Sequence, residues 1–356
     1  MLTVLPDFRE EKWHSMDLCA EMLVKYAPSG FIPEVCIPKF KRVFGFLPLQ
    51  KAHNFDRWYN RWRVYPSYVD KIRDKTGHFH IVDHSYAHLA NHLPRERVGV
   101  YCHDLDAFRC LLEPEKENRP KWFRKMMGDV FGGLKRARLI FCSTNAVKSK
   151  LIDMGHWALD SIRVVPYGIS EEFIPEGPRY SEDYILHVGS CIPRKRIEFL
   201  LKVFSEVRKS KKNLKLIQAG GQFTDNQISI IEKLGLEKHI EQVRNLSRQS
   251  LASFYRGSRL LLVTSEAEGF GLPVIEGLAC GARVIASDIS TLREVGGAAV
   301  KFCAVGTVDV WVDTVLGVLK NMNDPDKLKR SEMVRKRFDW SLHSKTILES
   351  YSSILN

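Results

Sequence analysis

Two glutamates, Glu268 and Glu276, frame the segment of this chain with the most chemical content. A Gly-Phe-Gly-Leu-Pro turn separates them, and Glu276 falls about one turn into the helix that follows. Gly269 and Gly271 let the backbone approach a ligand closely, and Pro273 suits a first helical turn. The amides and dipole at the start of such a helix favour an anion. The segment predicts a diphosphate site, although a tight strand-to-helix turn with two solvated glutamates would use the same residues.

A second group of candidates follows an apolar strand, where Gly189 and Ser190 precede the cations Arg194, Lys195 and Arg196. Consecutive cations at a strand end suit a diphosphate, because charge-assisted hydrogen bonds to phosphate are strong. A solvated run of charges is the competing interpretation. There is no Gly-x-Gly-x-x-Gly dinucleotide fingerprint, which removes support for hydride transfer.

Histidines form the third group. His103 ends the predicted strand Val98–Cys102, which would put an imidazole at the carboxyl edge of a sheet, although a lone histidine is more often structural. His84, His88 and His92 are spaced four residues apart and would share one face of a helix if a helix began as early as His84. They lack a carboxylate partner in a known metal motif, so we expect no metal site.

The elements that must position these residues alternate between short apolar runs and helical patterns. This alternation is typical of parallel sheets covered by helices. The predicted strands are 2–5, 35–37, 79–82, 98–102, 139–142 and 162–165, then 184–188, 214–219, 240–243, 260–264 and 283–286. The predicted helices are 121–136, 146–154, 197–209, 225–234, 249–257, 273–280, 308–321, 327–337 and 342–355. A stretch rich in proline and glycine, 166–178, separates the two series and predicts two doubly wound domains that meet at a cleft.

Composition narrows the class of protein. The 356 residues are 44% hydrophobic and 27% charged, as in a soluble globular protein, and no apolar run is long enough to cross a membrane. The first residues do not resemble a secretory signal, so we expect a cytoplasmic protein. The eight cysteines form no Cys-x-x-Cys pair, and we interpret them as reduced and buried.

The net charge of +12 is uneven, with +8 in residues 1–170. Solubility or an anionic acceptor explains it without nucleic acid, for which no binding motif is present. The stretch 57–65 mixes cations and aromatics. It leaves three interpretations open: core packing, stacking on acceptor sugars, or peripheral contact with the inner face of a membrane.

The segment from Glu268 to Ser287 resembles the signature of the retaining GT-B glycosyltransferases of family 4, the glycosyl transferases group 1. The Val-Val-Pro-Tyr-Gly-Ile run at 164–169 and the Phe-Asp-Trp-Ser run at 338–341 resemble further segments of that family. The resemblance covers residues 135–356 well and the first 130 weakly. It implies an acceptor-side domain at 1–168, a nucleotide-sugar-binding domain at 169–337, and a helix within 338–356 that packs back on the first domain.

The resemblance also implies roles. Glu276 would bind the ribose hydroxyls, and Glu268 would lie beside the donor sugar. The backbone of Phe270, Gly271 and Leu272 would meet the sugar and phosphates. Further implied site residues are His103, beside the donor sugar, and Gly189, Ser190, Arg194 and Lys195 at the diphosphate. Many members carry an arginine where this chain has Ser190, and a Gly-Gly pair where it has the 13–17 loop.

We therefore expect a retaining, metal-independent hexosyltransferase that needs no cofactor. Its donor would be a UDP-, GDP- or ADP-sugar, and its acceptor a sugar, a lipid-linked sugar or another glycoconjugate. A phosphorylase, a nucleotide-sugar epimerase and a non-catalytic sugar-binding subunit are the alternatives on the same fold. A nucleic-acid binder, suggested by charge alone, is the alternative from another class.

Overall fold

The computed structural model describes residues 1–46, 48–321 and 323–353. The chain divides into two compact units. One holds residues 1–167 together with the last helix of the chain, and the other holds Gly168–Asp339. Each unit is built on one six-stranded parallel sheet.

The sheet of the first unit follows the order β2-β1-β3-β4-β5-β6. Its strands are β1 (Leu2–Leu5), β2 (Pro33–Val35), β3 (His78–Ile81), β4 (Val98–Cys102), β5 (Leu139–Cys142) and β6 (Ile162–Val164). Nearly all residues of β1, β3, β4 and β5 are buried, as expected for parallel strands covered on both faces.

The sheet of the second unit follows the order β12-β11-β10-β7-β8-β9. Its strands are β7 (Tyr184–Gly189), β8 (Lys215–Gly220), β9 (Ile240–Val243), β10 (Leu260–Val263), β11 (Val284–Ser287) and β12 (Val300–Cys303). Sequence reasoning missed β12. The strand is short, lies at the edge of the sheet and carries an exposed Lys301, so it lacks the apolar run that revealed the others.

Helices cover both sheets. The first unit has α1 (His14–Lys25), α2 (Leu49–Tyr59), α3 (Tyr65–Ile72), α4 (Arg109–Leu112), α5 (Lys121–Arg136) and α6 (Asn145–Asp153). The second has α7 (Ile197–Ser210), α8 (Asp225–Lys233), α9 (Arg248–Gly257), α10 (Leu272–Ala279), α11 (Ser290–Gly296), α12 (Val308–Lys320) and α13 (Lys327–Arg337). The last helix, α14 (Trp340–Ser352), belongs to the first unit. The predicted helix 342–355 ends at Leu355, which lies outside the described residues.

The predicted helical face of three histidines is absent, because residues His84–His92 form a 3₁₀ helix. With about three residues per turn, positions four apart point in different directions. His84 contacts Asp83, His88 bonds the carbonyl of Arg61, and His92 bonds Asp70. Each histidine therefore has its own local partner.

The cationic and aromatic stretch 57–65 contacts the core of the first unit through Tyr65 and Trp62. It spans the end of α2, a π-helical turn over Asn60–Val64 and the start of α3. Tyr65 is fully buried and donates a hydrogen bond to the Pro6 carbonyl at 2.9 Å. Trp62 stacks on His88 with 4.2 Å between ring centroids, whereas Trp58 is half exposed.

In each sheet, strand order reverses at one place. In the first, the chain leaves β1 for β2 on one side and returns to β3 on the other. In the second, β8 lies on one side of β7 and β10 on the other. Doubly wound sheets bind ligands outside the carboxyl ends of the strands at such a switch point.

Candidate functional site

Three of the sequence-predicted site residues meet at the switch point of the second unit, outside β7 and β10. The Arg194 guanidinium lies 3.0 Å from one oxygen of Glu268, and the Lys195 ammonium forms an ion pair with the other. Ser265 donates its hydroxyl to Glu268 at 2.6 Å. Burial by itself raises the pKa of Glu268, but Lys195 and Arg194 outweigh it, so this pKa lies below its usual range. Glu268 is therefore an ionised carboxylate held between two cations.

Backbone hydrogen bonds fix the two segments that supply these side chains. The amide of Glu266 donates to the Arg194 carbonyl at 2.9 Å, and the hydroxyl of Thr264 donates to the Lys195 carbonyl at 2.9 Å. Arg196 adopts a left-handed conformation with φ of 52°, where a short 3₁₀ turn passes into α7. These contacts tie the loop after β7 to the loop after β10. The cations and Glu268 thus occupy fixed places.

Glu276 lies apart from this ion-pair group, on the buried side of α10. The hydroxyl of Tyr255 on α9 donates to its carboxyl at 2.9 Å. Burial raises the pKa of Glu276 to about 7, although the Tyr255 hydrogen bond acts in the opposite direction. At neutral pH this carboxyl can therefore be protonated or ionised, and in the ionised form both oxygens act only as hydrogen-bond acceptors.

The glycine turn before α10 is buried at Gly269, Phe270 and Gly271, and its aromatic side chain packs inward. Phe270 is buried and meets the ring of Phe338 edge to face at 5.5 Å. Gly271 has φ of 102°, a conformation that side-chain-bearing residues rarely adopt. Leu272 then begins α10, with Pro273 in its first turn. The Phe270 side chain anchors the turn, so only its backbone can face a ligand.

The loop after β7 is held close to β8 by glycine. The carbonyl of Gly189 accepts hydrogen bonds from the amide of Gly221 at 2.9 Å and from the Gln218 side chain at 2.8 Å. A Cβ at Gly221 would lie 2.4 Å from the amide nitrogen of Cys191. Ser190 is exposed at this loop and its side chain is short. The glycines thus permit an approach of two backbones that any side chain would prevent.

His187 is a buried neighbour that sequence reasoning did not single out. Its Nδ1 atom has no hydrogen-bond partner among the described residues. Burial, followed by the charge of Lys195, lowers its pKa to about 3, so the ring is neutral. Ser265, Tyr255 and Gly221 were missed as well. In the sequence they are marked only by position, since Ser265 and Gly221 follow strands and Tyr255 lies on α9.

His103 belongs to the first unit, directly after β4. Its Nε2 donates to the Val82 carbonyl at 2.7 Å, which leaves Nδ1 to accept the hydroxyl of Tyr167. Burial lowers the pKa of His103 to about 4. The ring is neutral, and both of its nitrogens are engaged within this unit.

Among the residues that the structure describes, no group of three or more His, Cys, Asp or Glu side chains could hold a metal ion. In the same residues, no helix is long and apolar enough to cross a membrane.

The second unit is similar in sequence to a known protein family. Residues 169–334 match the family described as Glycosyl transferases group 1. O-antigen chain mannosyltransferase B of Escherichia coli is 26% identical over 57% of this chain and 56% of that protein. D-inositol 3-phosphate glycosyltransferase of Segniliparus rotundus is 25% identical over 80% of this chain and 69% of that protein. The chain spans about half the length of the first of these and of another curated relative.

Solved structures show the same fold over the whole chain. HepE of Anabaena, in complex with UDP and glucose, matches with a TM-score of 0.71 and 17% identity over 99% of each chain. Sucrose-phosphate synthase of Thermosynechococcus elongatus matches with a TM-score of 0.69 and 16% identity, over 99% of this chain and 98% of that one. At this level of identity the likeness concerns the fold, which is the two-domain α/β fold of GT-B glycosyltransferases.

Proposed function

We propose that this protein, whose second unit is a glycosyl transferases group 1 domain, transfers a sugar from a nucleoside diphosphate sugar to an acceptor hydroxyl. The observation that carries the proposal is the placement of Arg194 and Lys195 against Glu268 at a switch point, beside the helix start at Leu272. Two cations and a helix N-terminus favour a diphosphate, and a carboxylate among them can accept hydroxyls of the attached sugar.

In this mechanism Arg194 and Lys195 stabilise the negative charge that develops on the leaving diphosphate. In other enzymes a bound metal ion stabilises such a developing negative charge. The ion pair with Glu268 keeps both cations oriented before the donor binds, which lowers the entropy lost on binding. We therefore propose that transfer needs no metal and no cofactor.

We assign different parts of the donor to the two carboxylates. Glu276 binds the ribose hydroxyls, because its helix and the Tyr255 hydrogen bond fix its position. Glu268 serves the sugar, whose charge changes in the transition state. We further propose retention of anomeric configuration, which rests on the resemblance of the segment from Glu268 to Ser287 to retaining enzymes. His103 is proposed to act beside the sugar as a neutral imidazole.

Thermal unfolding with UDP, GDP and ADP, each with and without EDTA, tests the donor site. We expect one nucleotide to stabilise the protein by about 2.7 kcal/mol at a hundredfold excess over its dissociation constant. The stabilisation should survive EDTA. Glu268→Gln should bind the same nucleotide as wild type and lose donor turnover. Strict dependence of nucleotide binding on a divalent ion would contradict the mechanism, and turnover driven by free phosphate would indicate a phosphorylase.

A further inference from the structure

The loop before α2 and the outer side of α2 present apolar side chains to solvent. Four of these residues are between 46% and 80% exposed: Val43, Phe46, Phe55 and Trp58. Single exposed apolar residues are ordinary on a protein surface, but a group of them marks a site of interaction. The donor site proposed above uses none of the four.

Aromatic contacts join the loop to the helix. The centroid of the Phe44 ring lies 6.1 Å from that of Phe46 and 5.6 Å from that of Phe55. Along α2, Lys51, Phe55 and Trp58 are spaced i, i+4 and i+7, so they lie on one side of the helix. The exposed aromatic side chains therefore belong to one surface.

Two buried polar side chains fix the loop against α2. Asp56 accepts hydrogen bonds from the amides of Val43 and Phe44 at 2.7 and 2.9 Å. Asn60 bonds both the amide and the carbonyl of Lys41 at 2.7 Å. Because the backbone is already held in place, little conformational entropy is lost when a partner binds its exposed side chains.

The exposed charge of this surface is positive. Residues 39–63 contain seven Lys and Arg and a single acid, Asp56, whose side chain is buried against the loop amides. Lys41 and Arg42 in the loop and Lys51 on α2 are exposed. Cations beside exposed aromatic rings suit a partner that is anionic at its surface and apolar beneath, as a membrane with anionic lipids is.

Other partners fit this surface less well. A second copy of the chain would bring like charges together, which is unfavourable. A nucleic acid would neutralise the cations, but the sequence has no nucleic-acid-binding motif. Neither partner offers an apolar layer for Val43 and Phe46.

We propose that this surface binds a membrane that contains anionic lipids. We call it the basic-aromatic face, and its residues are Lys41, Arg42, Val43, Phe46, Lys51, Phe55 and Trp58. The cations contact the headgroup charge, and the apolar side chains enter the boundary between headgroups and acyl chains. This interaction goes beyond the transfer reaction and does not depend on the donor assignment.

Flotation of the full-length protein with lipid vesicles tests the basic-aromatic face. One set of vesicles contains phosphatidylcholine alone, and the other contains equal parts of phosphatidylcholine and phosphatidylglycerol. Wild type should prefer the anionic vesicles, and salt should weaken the binding. The triple variant Lys41→Gln, Arg42→Gln, Lys51→Gln should bind them on the order of a hundredfold more weakly, about fivefold for each charge.

Matched variants separate the face from the total charge and from surface hydrophobicity in general. Lys211→Gln, Lys212→Gln and Lys233→Gln together remove the same charge from exposed positions of the second unit, and this variant should bind like wild type. Phe46→Ser should weaken binding about tenfold, because one apolar side chain no longer leaves water. Leu328→Ser, at a position of the second unit that is 63% exposed, should bind like wild type.

Fluorescence quenching by brominated lipids gives a second measurement. Trp58→Phe keeps the apolar character of the face, so it should still bind the anionic vesicles but lose part of the quenching that wild type shows. UDP binding and the urea unfolding midpoint should be the same in every variant as in wild type. A wild type that binds vesicles but no nucleotide would support the face and contradict the proposed function.

Four results would overturn the proposal. Two are equal affinity of wild type for neutral and anionic vesicles, including no binding to either, and equal affinity of the triple variant and wild type for the anionic ones. Self-association of wild type that Phe46→Ser abolishes would assign the face to a second copy of the chain. Binding of single-stranded RNA without binding of vesicles would assign it to nucleic acid.

Discussion

Glu268 determines how the side chains of Arg194 and Lys195 are held. A buried carboxylate is costly unless it is paired, and Glu268 is paired with Lys195, Arg194 and Ser265. Removal of one partner from such a group leaves charge uncompensated. Substitutions here therefore alter the local electrostatics, and each needs a control that separates this effect from a direct effect on ligand binding.

The Lys195 ammonium should contribute directly to diphosphate binding. Lys195→Ala is expected to weaken the nucleoside diphosphate by about 1.5–3 kcal/mol, the range for hydrogen bonds to charged groups. Calorimetry with the diphosphate and with the nucleoside alone measures this, and the nucleoside should bind as before. Lys209→Ala is the matched control, because Lys209 is exposed on α7 and paired with Glu206 at 2.6 Å. Unchanged diphosphate affinity in Lys195→Ala would show that the cations are not at the phosphate.

The raised pKa of Glu276 should appear in the pH dependence of stability. Its pKa is about 7 in the folded protein and about 4.5 in the ordinary state. Between these values the unfolded chain loses the proton while the folded one keeps it, so the unfolding free energy falls as pH rises, by on the order of 3 kcal/mol. Thermal unfolding of wild type and Glu276→Gln from pH 4 to 8 measures the difference. Parallel pH profiles of the two proteins would mean that Glu276 is not buried as described.

At the scale of elements, close packing of two helix backbones requires glycine at the position of contact. The helix α5 packs against the 3₁₀ helix His84–His92, and a Cβ at Gly133 would lie 2.0 Å from the Ala87 carbonyl oxygen. The adjacent Gly132 faces solvent, and a Cβ there would meet nothing within 4 Å. Helix packing therefore requires glycine at position 133, whereas it places no such requirement on the neighbouring position 132.

Alanine at these two positions should shift stability in opposite directions. Gly133→Ala should destabilise the protein by about 1–3 kcal/mol, because the methyl group forces the two helices apart. Gly132→Ala should stabilise it by roughly 0.5–1 kcal/mol through helix propensity. Urea unfolding of both variants and wild type checks this. Equal midpoints for the two variants would contradict the packing of α5 on the 3₁₀ helix.

At the scale of the whole molecule, the first unit is completed by the end of the chain. Tyr351 on α14 bonds the ring of His80 at 2.9 Å and fills the space that Gly99 leaves open on β4. The hydroxyl of Ser344 donates to the carbonyl of Leu23 at 2.7 Å. A helix some 170 residues away in sequence from the rest of this unit is therefore part of its core.

Loss of the Tyr351 side chain should destabilise the first unit and spare the donor site. Tyr351→Ala is expected to lower the unfolding free energy by about 3–5 kcal/mol, as for other large buried aromatics. Affinity for UDP, which we propose the second unit binds, should be unchanged. Glu349→Ala is the control on the same helix, since its ion pair with Lys345 is exposed. A loss of UDP affinity in Tyr351→Ala, with no loss in the control, would contradict this division of roles.

The sequence by itself determined the α/β class, most strands of both sheets and the resemblance of the second unit to the glycosyl transferases group 1. Short apolar runs such as 139–142 and 260–263, which alternate with helical patterns, predict buried strands. The glycines before Pro273, and Pro273 itself, predict the turn at that position. Arg194, Lys195 and Glu268 follow strand ends, where parallel sheets bind ligands, and they were identified as site residues because their segments also resemble the glycosyl transferases group 1. Such signals are local in sequence and need no contacts to be recognised.

Only the tertiary structure decided which of these groups meet and what surrounds them. The pairing of Lys195 with Glu268, 73 positions apart, depends on strand order, which spacing does not reveal. The same holds for the three histidines, because the choice between an α-helix and a 3₁₀ helix at His84–His92 follows from packing against α5. Burial also sets the Glu276 pKa, since desolvation is a property of the folded environment and not of the residue.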